Sequence, residues 1–263
     1  MIPLRDTIRP RRFPVVNTGL IVINVLVFLG EFVMGDARLS TFIAEWGLVP
    51  ARFWEGGMLD RWWPVFTAMF LHAGWWHLIS NMLTLYIFGD NVEDRLGKVR
   101  YLLFYLFSGL AASLAHLVAY STSEIPTVGA SGAIAGVLGA YILFFPRARV
   151  VTLVPIFYFA RLVQLPAVFY LGFWFVSQLF NGLFALAAVD IMQAGGVAWW
   201  AHIGGFVFGL AAAKLLAPRM PEPQVTYYTP TSTYQPPTYT PPTYSRRSPS
   251  SRRDYQAWWE DEN

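Results

Sequence analysis

The sequence predicts an all-α membrane protein of six transmembrane helices, and three observations carry that reading. Hydrophobic residues make up 55% of the 263 residues and charged residues only 13%, about half the charge that a soluble domain carries. The charges are also unevenly placed. Glu124 is the only charged residue between Tyr101 and Pro146, and Asp190 is the only one from Leu162 to Ala213. Finally, the apolar runs are about 20 residues long, the length a helix needs to cross a hydrocarbon core of about 30 Å.

Composition divides the chain into three parts. Residues 1–14 are a basic polar lead holding Arg5, Arg9, Arg11 and Arg12, residues 15–220 are the membrane domain, and residues 221–263 are a tail rich in Pro, Thr, Tyr and Ser. The first apolar segment is long enough to remain as a signal anchor, and no small-residue cleavage signal follows it. The spans fall at 15–34, 72–91, 101–120, 129–146, 164–188 and 199–217. Between the first two, residues 35–71 carry Trp46, Trp54, Trp62 and Trp63, which suit a segment lying in the headgroup zone. Residues 150–160 are apolar but too short to span and contain Pro155, so they are assigned to the interface. The tail has no apolar periodicity and is expected to be disordered. Its two Pro-Pro-Thr-Tyr copies, at 236–239 and 241–244, read as WW-domain ligands or as a low-complexity repeat.

Lys and Arg set the orientation. With the N-terminus inside, the inner segments up to residue 220 hold twelve of them and the outer segments three, Arg38, Arg52 and Arg61. That asymmetry places both termini in the cytoplasm. The net charge of +3 gives no nucleic-acid footprint, so no nucleic-acid partner is expected. With no Cys, disulfides, thiolate nucleophiles and Cys-ligated metals are excluded.

Polar side chains inside spans are costly and mark functional sites by default. His72 and His77 open the second span, His116 lies in the third, and His202 begins the sixth. Asn81 follows His77 by four residues, on the same helical face. A metal bound by His77 and His202 would lack a third ligand nearby in sequence, so neither a metal nor a cofactor is expected.

The fourth span opens on Gly129-Ala130-Ser131-Gly132. Gly132, Gly136 and Gly139 suit close helix packing, and packing is compatible with bringing a nucleophile to its base. The second, fourth and sixth spans all run from outside to inside, which puts His77, Asn81, Ser131 and His202 in one outer layer. On the sixth span, His202, Gly205, Gly209 and Ala213 form one stripe. Ser131 offers a hydroxyl nucleophile and His202 a base. No acid lies close in sequence to either, which reads as a Ser–His dyad. The Ser131 N–H at a helix start, the His77 side chain and the Asn81 amide form an oxyanion and substrate-binding set that includes Gly129.

These residues resemble the rhomboid family of intramembrane serine proteases. The matching elements are His77-Leu78-Ile79-Ser80-Asn81 for HxxxN, residues 129–132 for GxSG, and Ala201-His202-Ile203-Gly204-Gly205 on the sixth span. The resemblance covers about residues 15–217. It implies a six-helix rhomboid-like bundle with a partly membrane-embedded first loop at 35–71. It also implies Ser131 as nucleophile, His202 as general base, and His77 with Asn81 in the oxyanion pocket. Glu93 and Gly97 resemble the family's Glu-xxx-Gly element and are expected to be structural, as is His72, which matches a loop-supporting His in some members. The family's Trp-Arg pair appears reversed here, as Arg61-Trp62. An aromatic found below the His in some members is replaced by Ala135, so another ring must support His202, or none does.

The implied substrates are single-span membrane proteins with small or helix-breaking residues near the outer surface, because a helix must unwind to expose its amide. The fifth span, with Gly172 and Gly182, is the candidate gate. The partners expected are these substrates, the lipid bilayer and a binder of the tail repeats. The expected location is a cell membrane, by default a bacterial inner membrane. The alternative is a catalytically inactive rhomboid-like protein that binds membrane clients, against which the full Ser, His and Asn set counts. A transporter is disfavoured because the spans show no inverted repeat.

Overall fold

The computed structural model describes residues 2–55, 57–156, 159–187 and 197–216. The tail with both Pro-Pro-Thr-Tyr copies, Arg219 and most of the outer connection 189–198 lie outside the described residues.

Strand β1 (Ile2–Asp6) leads into helix α1 (Val15–Val33). Three short helices follow: α2 (Asp36–Trp46), α3 (Pro50–Glu55) and α4 (Met58–Thr67), the last ending in a 3-10 turn at Ala68–Phe70. Next come α5 (Trp75–Leu96), α6 (Lys98–Ala119), α7 (Ser131–Phe144), β2 (Arg149–Ile156), β3 (Phe159–Pro166), α8 (Ala167–Ala187) and α9 (Trp199–Leu216). The chain is mostly helical. Four of the described helices, α1, α6, α8 and α9, are long and apolar enough to cross a membrane. Helix α5 ends in Asp90, Glu93, Asp94 and Arg95, and α7 has only 14 residues.

The all-α expectation needs one correction. Residues 150–156 and 159–160 belong to an antiparallel three-stranded sheet in the order β1-β2-β3, with Ile2 opposite Leu153 and Arg149 opposite Pro166. The basic lead supplies β1, and residues 164–166, assigned above to the fifth span, instead complete β3. The cause is local: Val150, Val151, Thr152, Val154 and Val163 are β-branched and favour a pleated strand.

Helix α1 buries Asn17, Leu20, Asn24, Phe28 and Glu31 along one face, while Val22, Leu26 and Phe32 face outward. Its N-terminus is held from α5. The buried Glu93 carboxylate accepts the backbone N–H groups of Val16 (3.1 Å) and Asn17 (2.7 Å), donors that a helix start leaves unpaired. Asn17 in turn donates to the Leu85 carbonyl at 3.0 Å and accepts the Tyr101 hydroxyl at 2.6 Å. Gly97, at φ 81°, turns the chain between α5 and α6. The Glu93 and Gly97 positions are therefore structural.

Helix α7 is buried on every side from Gly132 to Tyr141, as expected of a helix apolar all round. Small residues let it pack closely against both α6 and α9. A Cβ on Gly136 would strike the Ser108 side chain, and a Cβ on Gly205 or Gly209 would land on the carbonyl of Gly132 or Gly136. Helix α8 instead presents Phe169, Phe173, Val176, Phe180 and Phe184 outward at helical spacing.

The sheet is latched to the bundle through Asp6. Its carboxylate accepts the Asn91 side-chain amide at 2.9 Å and the Tyr141 hydroxyl. Burial pushes the Asp6 carboxyl from its ordinary 3.8 up to about 7, with the Tyr141 bond opposing the shift.

Candidate active site

Ser131 is the first residue of α7, and the segment before it is fixed by the first loop. Leu48 donates to the Thr127 carbonyl at 3.0 Å and Thr127 returns a bond at 2.8 Å, while Gly129 donates to the Ala68 carbonyl at 2.8 Å. Gly129 has φ 129°, a region that L side chains avoid. A Cβ there would also stand 2.7 Å from Cε1 and Nε2 of His77. Only glycine lets the chain pass beside that ring.

His202 lies in the first turn of α9, with its Nε2 2.8 Å from the Ser131 Oγ. One turn further, Gly205 packs on the Gly132 carbonyl, so glycine packing sets the distance between the two helices that carry the pair. On the far side of the ring, Nδ1 lies 2.8 Å from the Gln178 Oε1 of α8. The Trp174 ring, also from α8, lies 5.8 Å away at 35°, and Trp199 meets the imidazole edge-on at 6.3 Å and 88°.

His77 and Asn81 complete the arrangement from α5. The His77 Nδ1 accepts the Ala73 N–H at 3.4 Å, which leaves the proton on Nε2, the nitrogen beside Gly129. Asn81 is buried, and its Nδ2 has no hydrogen-bond partner among the described residues. His77, Asn81, Ser131, His202 and Trp174 line one cavity of about 670 Å³ together with Ser80, Thr84 and Tyr120. Its wall is thus mixed, with hydroxyls and imidazoles interspersed with Leu138, Ile134 and Trp76.

The other two histidines have different settings. His116 shares a 2.8 Å hydrogen bond between its Nε2 and the Thr127 Oγ1, which ties α6 to the segment before Gly129. The His72 backbone N–H donates to the buried Glu31 carboxylate at 3.2–3.3 Å, and its ring packs edge-on against His77 at 5.1 Å. It supports the turn into α5. Among the described residues, no group of three His, Asp or Glu side chains is placed to hold a metal ion.

The structure brings all five sequence-derived residues, Gly129, Ser131, His202, His77 and Asn81, to one place. It adds two that the sequence reading missed, Gln178 and Trp174; the ring against His202 comes from α8, given Ala135 on α7. A signal was present, since Ser177, Gln178 and Asn181 are polar residues inside an otherwise apolar span. The side chain of Arg61, in the reversed Arg-Trp pair, lies outside the described residues, and Trp62 packs on Phe53 with ring centroids 5.3 Å apart. A hydroxyl bonded to an imidazole, beside an amide N–H donor without a partner among the described residues, is an arrangement suited to acyl transfer.

Comparison with known proteins points the same way. The Rhomboid domain family model matches residues 59–219. The rhomboid protease GluP of Bacillus subtilis (strain 168) is 32% identical over 181 residues, 65% of this chain and 34% of that protein. The rhomboid protease AarA of Providencia stuartii is 29% identical over 219 residues, 76% of this chain and 72% of that protein. RHOMBOID-like protein 6, mitochondrial, of Arabidopsis thaliana is 34% identical over 154 residues, 59% of this chain and 43% of that protein. The chain thus spans about a third of the Bacillus relative and under half of the Arabidopsis one. The family match, the helices long and apolar enough to cross a membrane, and the site geometry together make this chain a multi-pass membrane protein of the rhomboid family.

Proposed function

We propose that the protein is an intramembrane serine endopeptidase that hydrolyses peptide bonds in or near the transmembrane segments of single-span membrane proteins. The observation that carries this reading is the 2.8 Å contact between the His202 Nε2 and the Ser131 Oγ at the wall of a partly polar cavity. Two of the relatives are named as rhomboid proteases, in agreement with it.

In this mechanism Nε2 of His202 takes the Ser131 proton as Oγ attacks the scissile carbonyl. The oxyanion is received by the Ser131 N–H, the Nε2–H of His77 and the Asn81 amide. The imidazolium then protonates the leaving amine, and an acyl-enzyme remains on Ser131. Water, deprotonated by His202, releases the acid product and restores the hydroxyl.

The membrane setting completes the proposal. Six helices, α1 and α5 to α9, cross the bilayer with both termini in the cytoplasm, and the protein resides in a cell membrane, by default a bacterial inner membrane. The first loop is partly embedded. A 14-residue α7 is about 21 Å long, shorter than a hydrocarbon core of about 30 Å, so Ser131 sits below the outer surface. Water reaches it through the cavity, substrate enters past α8, and the tail repeats serve as a ligand for a WW-type partner.

A fluorophosphonate probe tests the reading. The folded wild-type protein should label covalently at Ser131, and His202→Ala should abolish labelling. A folded wild type that stays unlabelled would instead favour a client-binding role without catalysis.

A further inference from the structure

Helix α8 brings to His202 an acceptor that a serine–histidine pair does not by itself require. Gln178 is 5% exposed, and its amide is oriented by its own helix. The Nε2 donates to the Trp174 carbonyl at 3.2 Å and to the Ser177 hydroxyl at 3.0 Å. The flipped amide would set two carbonyl oxygens against each other at that distance. The oxygen Oε1, which can only accept, therefore faces the His202 Nδ1 at 2.8 Å. Nδ1 must carry the proton, which leaves the Nε2 lone pair directed at Ser131. One turn earlier on the same face, Trp174 lies against the imidazole and limits its rotation.

We propose that Gln178 is a positioning residue: it holds His202 as the Nδ1–H tautomer with Nε2 free to take the Ser131 proton, so the seating of α8 is a condition of catalysis. The inference rests on the serine–histidine reading above. It follows that the base is supported by the helix whose other face is the Phe169, Phe173, Phe180 and Phe184 stripe. A displacement of α8 large enough to break a 2.8 Å bond releases the imidazole as well.

The test uses the full-length protein in proteoliposomes with a tagged single-span substrate, measuring kcat and KM for wild type, Gln178→Ala and Gln178→Glu. Gln178→Ala should lower kcat by about tenfold or more, since it releases the general base, with KM changed by less than about twofold. Gln178→Glu keeps an acceptor oxygen and should restore kcat. Among the described residues, the titratable groups acting on His202 are His77 on α5 and His116 on α6, so this variant adds a carboxylate to that set. A carboxylate favours imidazolium, and the acid limb of the pH–rate profile should move to higher pH. A purely structural role would not move that limb.

Wild-type kcat in folded Gln178→Ala overturns the proposal, as does a Gln178→Glu protein with impaired kcat and an unmoved acid limb. If thermal unfolding shows that Gln178→Ala does not fold, the acid limb of Gln178→Glu decides alone. Ser131→Ala is assayed in parallel: cleavage that survives it overturns the serine–histidine reading itself. Loss of cleavage there, with both Gln178 variants behaving as wild type, overturns only the role of Gln178.

Discussion

The carbonyl oxygen of Gly132 on α7 occupies the place that a β-carbon on Gly205 of α9 would need. Backbone meets backbone there, so no rotamer change can relieve an added side chain. Gly205→Val should destabilise the protein by about 1–3 kcal/mol or more and abolish cleavage by parting Ser131 from His202. Gly172→Ala is the control, because nothing among the described residues lies within 4 Å of its added Cβ. Thermal unfolding and cleavage assays on both variants check the contrast.

Gly129 combines φ 129° with a ring 2.7 Å from the position of an added Cβ. Gly129→Ala should displace His77 and the chain leading into Ser131. A loss of about 100-fold or more in kcat/KM is expected if an oxyanion donor is displaced, with helical content unchanged by circular dichroism.

Asn81, on the wall of the cavity, has a buried Nδ2 with no partner among the described residues. Asn81→Ala should reduce kcat by about 100-fold, the usual cost of one oxyanion donor, and cleavage should stay measurable because the Ser131 N–H and His77 remain. Steady-state kinetics on a tagged transmembrane substrate gives the answer.

Glu93 serves the fold rather than the reaction. Glu93→Ala leaves the N–H groups of Val16 and Asn17 without their acceptor and should cost about 1–3 kcal/mol of stability. The midpoint of thermal unfolding should fall, with kcat of the folded fraction close to wild type.

Asp6 gives the sheet a pH signature. Its folded pKa is raised, from 3.8 to about 7, so the fold favours the protonated carboxyl. Its contribution to stability is fully present below about pH 4 and is lost as pH rises through about 7. Across that window the wild-type unfolding midpoint should fall relative to that of Asp6→Asn, whose side chain does not titrate. Parallel slopes for the two proteins would contradict this.

Much of the site was legible because each polar residue was conspicuous. Ser131, His77, Asn81 and His202 sit in apolar segments where burial is costly, and the alternating direction of the spans placed them at one level. Gln178 and Trp174 were not found because their contact with His202 depends on the rotation of α8 about its own axis. That rotation was open to reading from Phe169, Phe173, Val176, Phe180 and Phe184, which mark the outward face. The sheet was missed for another reason. A short apolar run such as Val150–Ile156 does not by itself distinguish a strand from an interfacial segment, and its partner Ile2–Asp6 lies at the other end of the sequence before it.

The most direct measurement of the proposed chemistry is cleavage of a tagged single-span substrate by reconstituted wild-type, Ser131→Ala and His202→Ala proteins of matched thermal stability. If Ser131 is the nucleophile and His202 its base, only the wild type yields product. Product formation by the folded Ser131→Ala protein would contradict the mechanism.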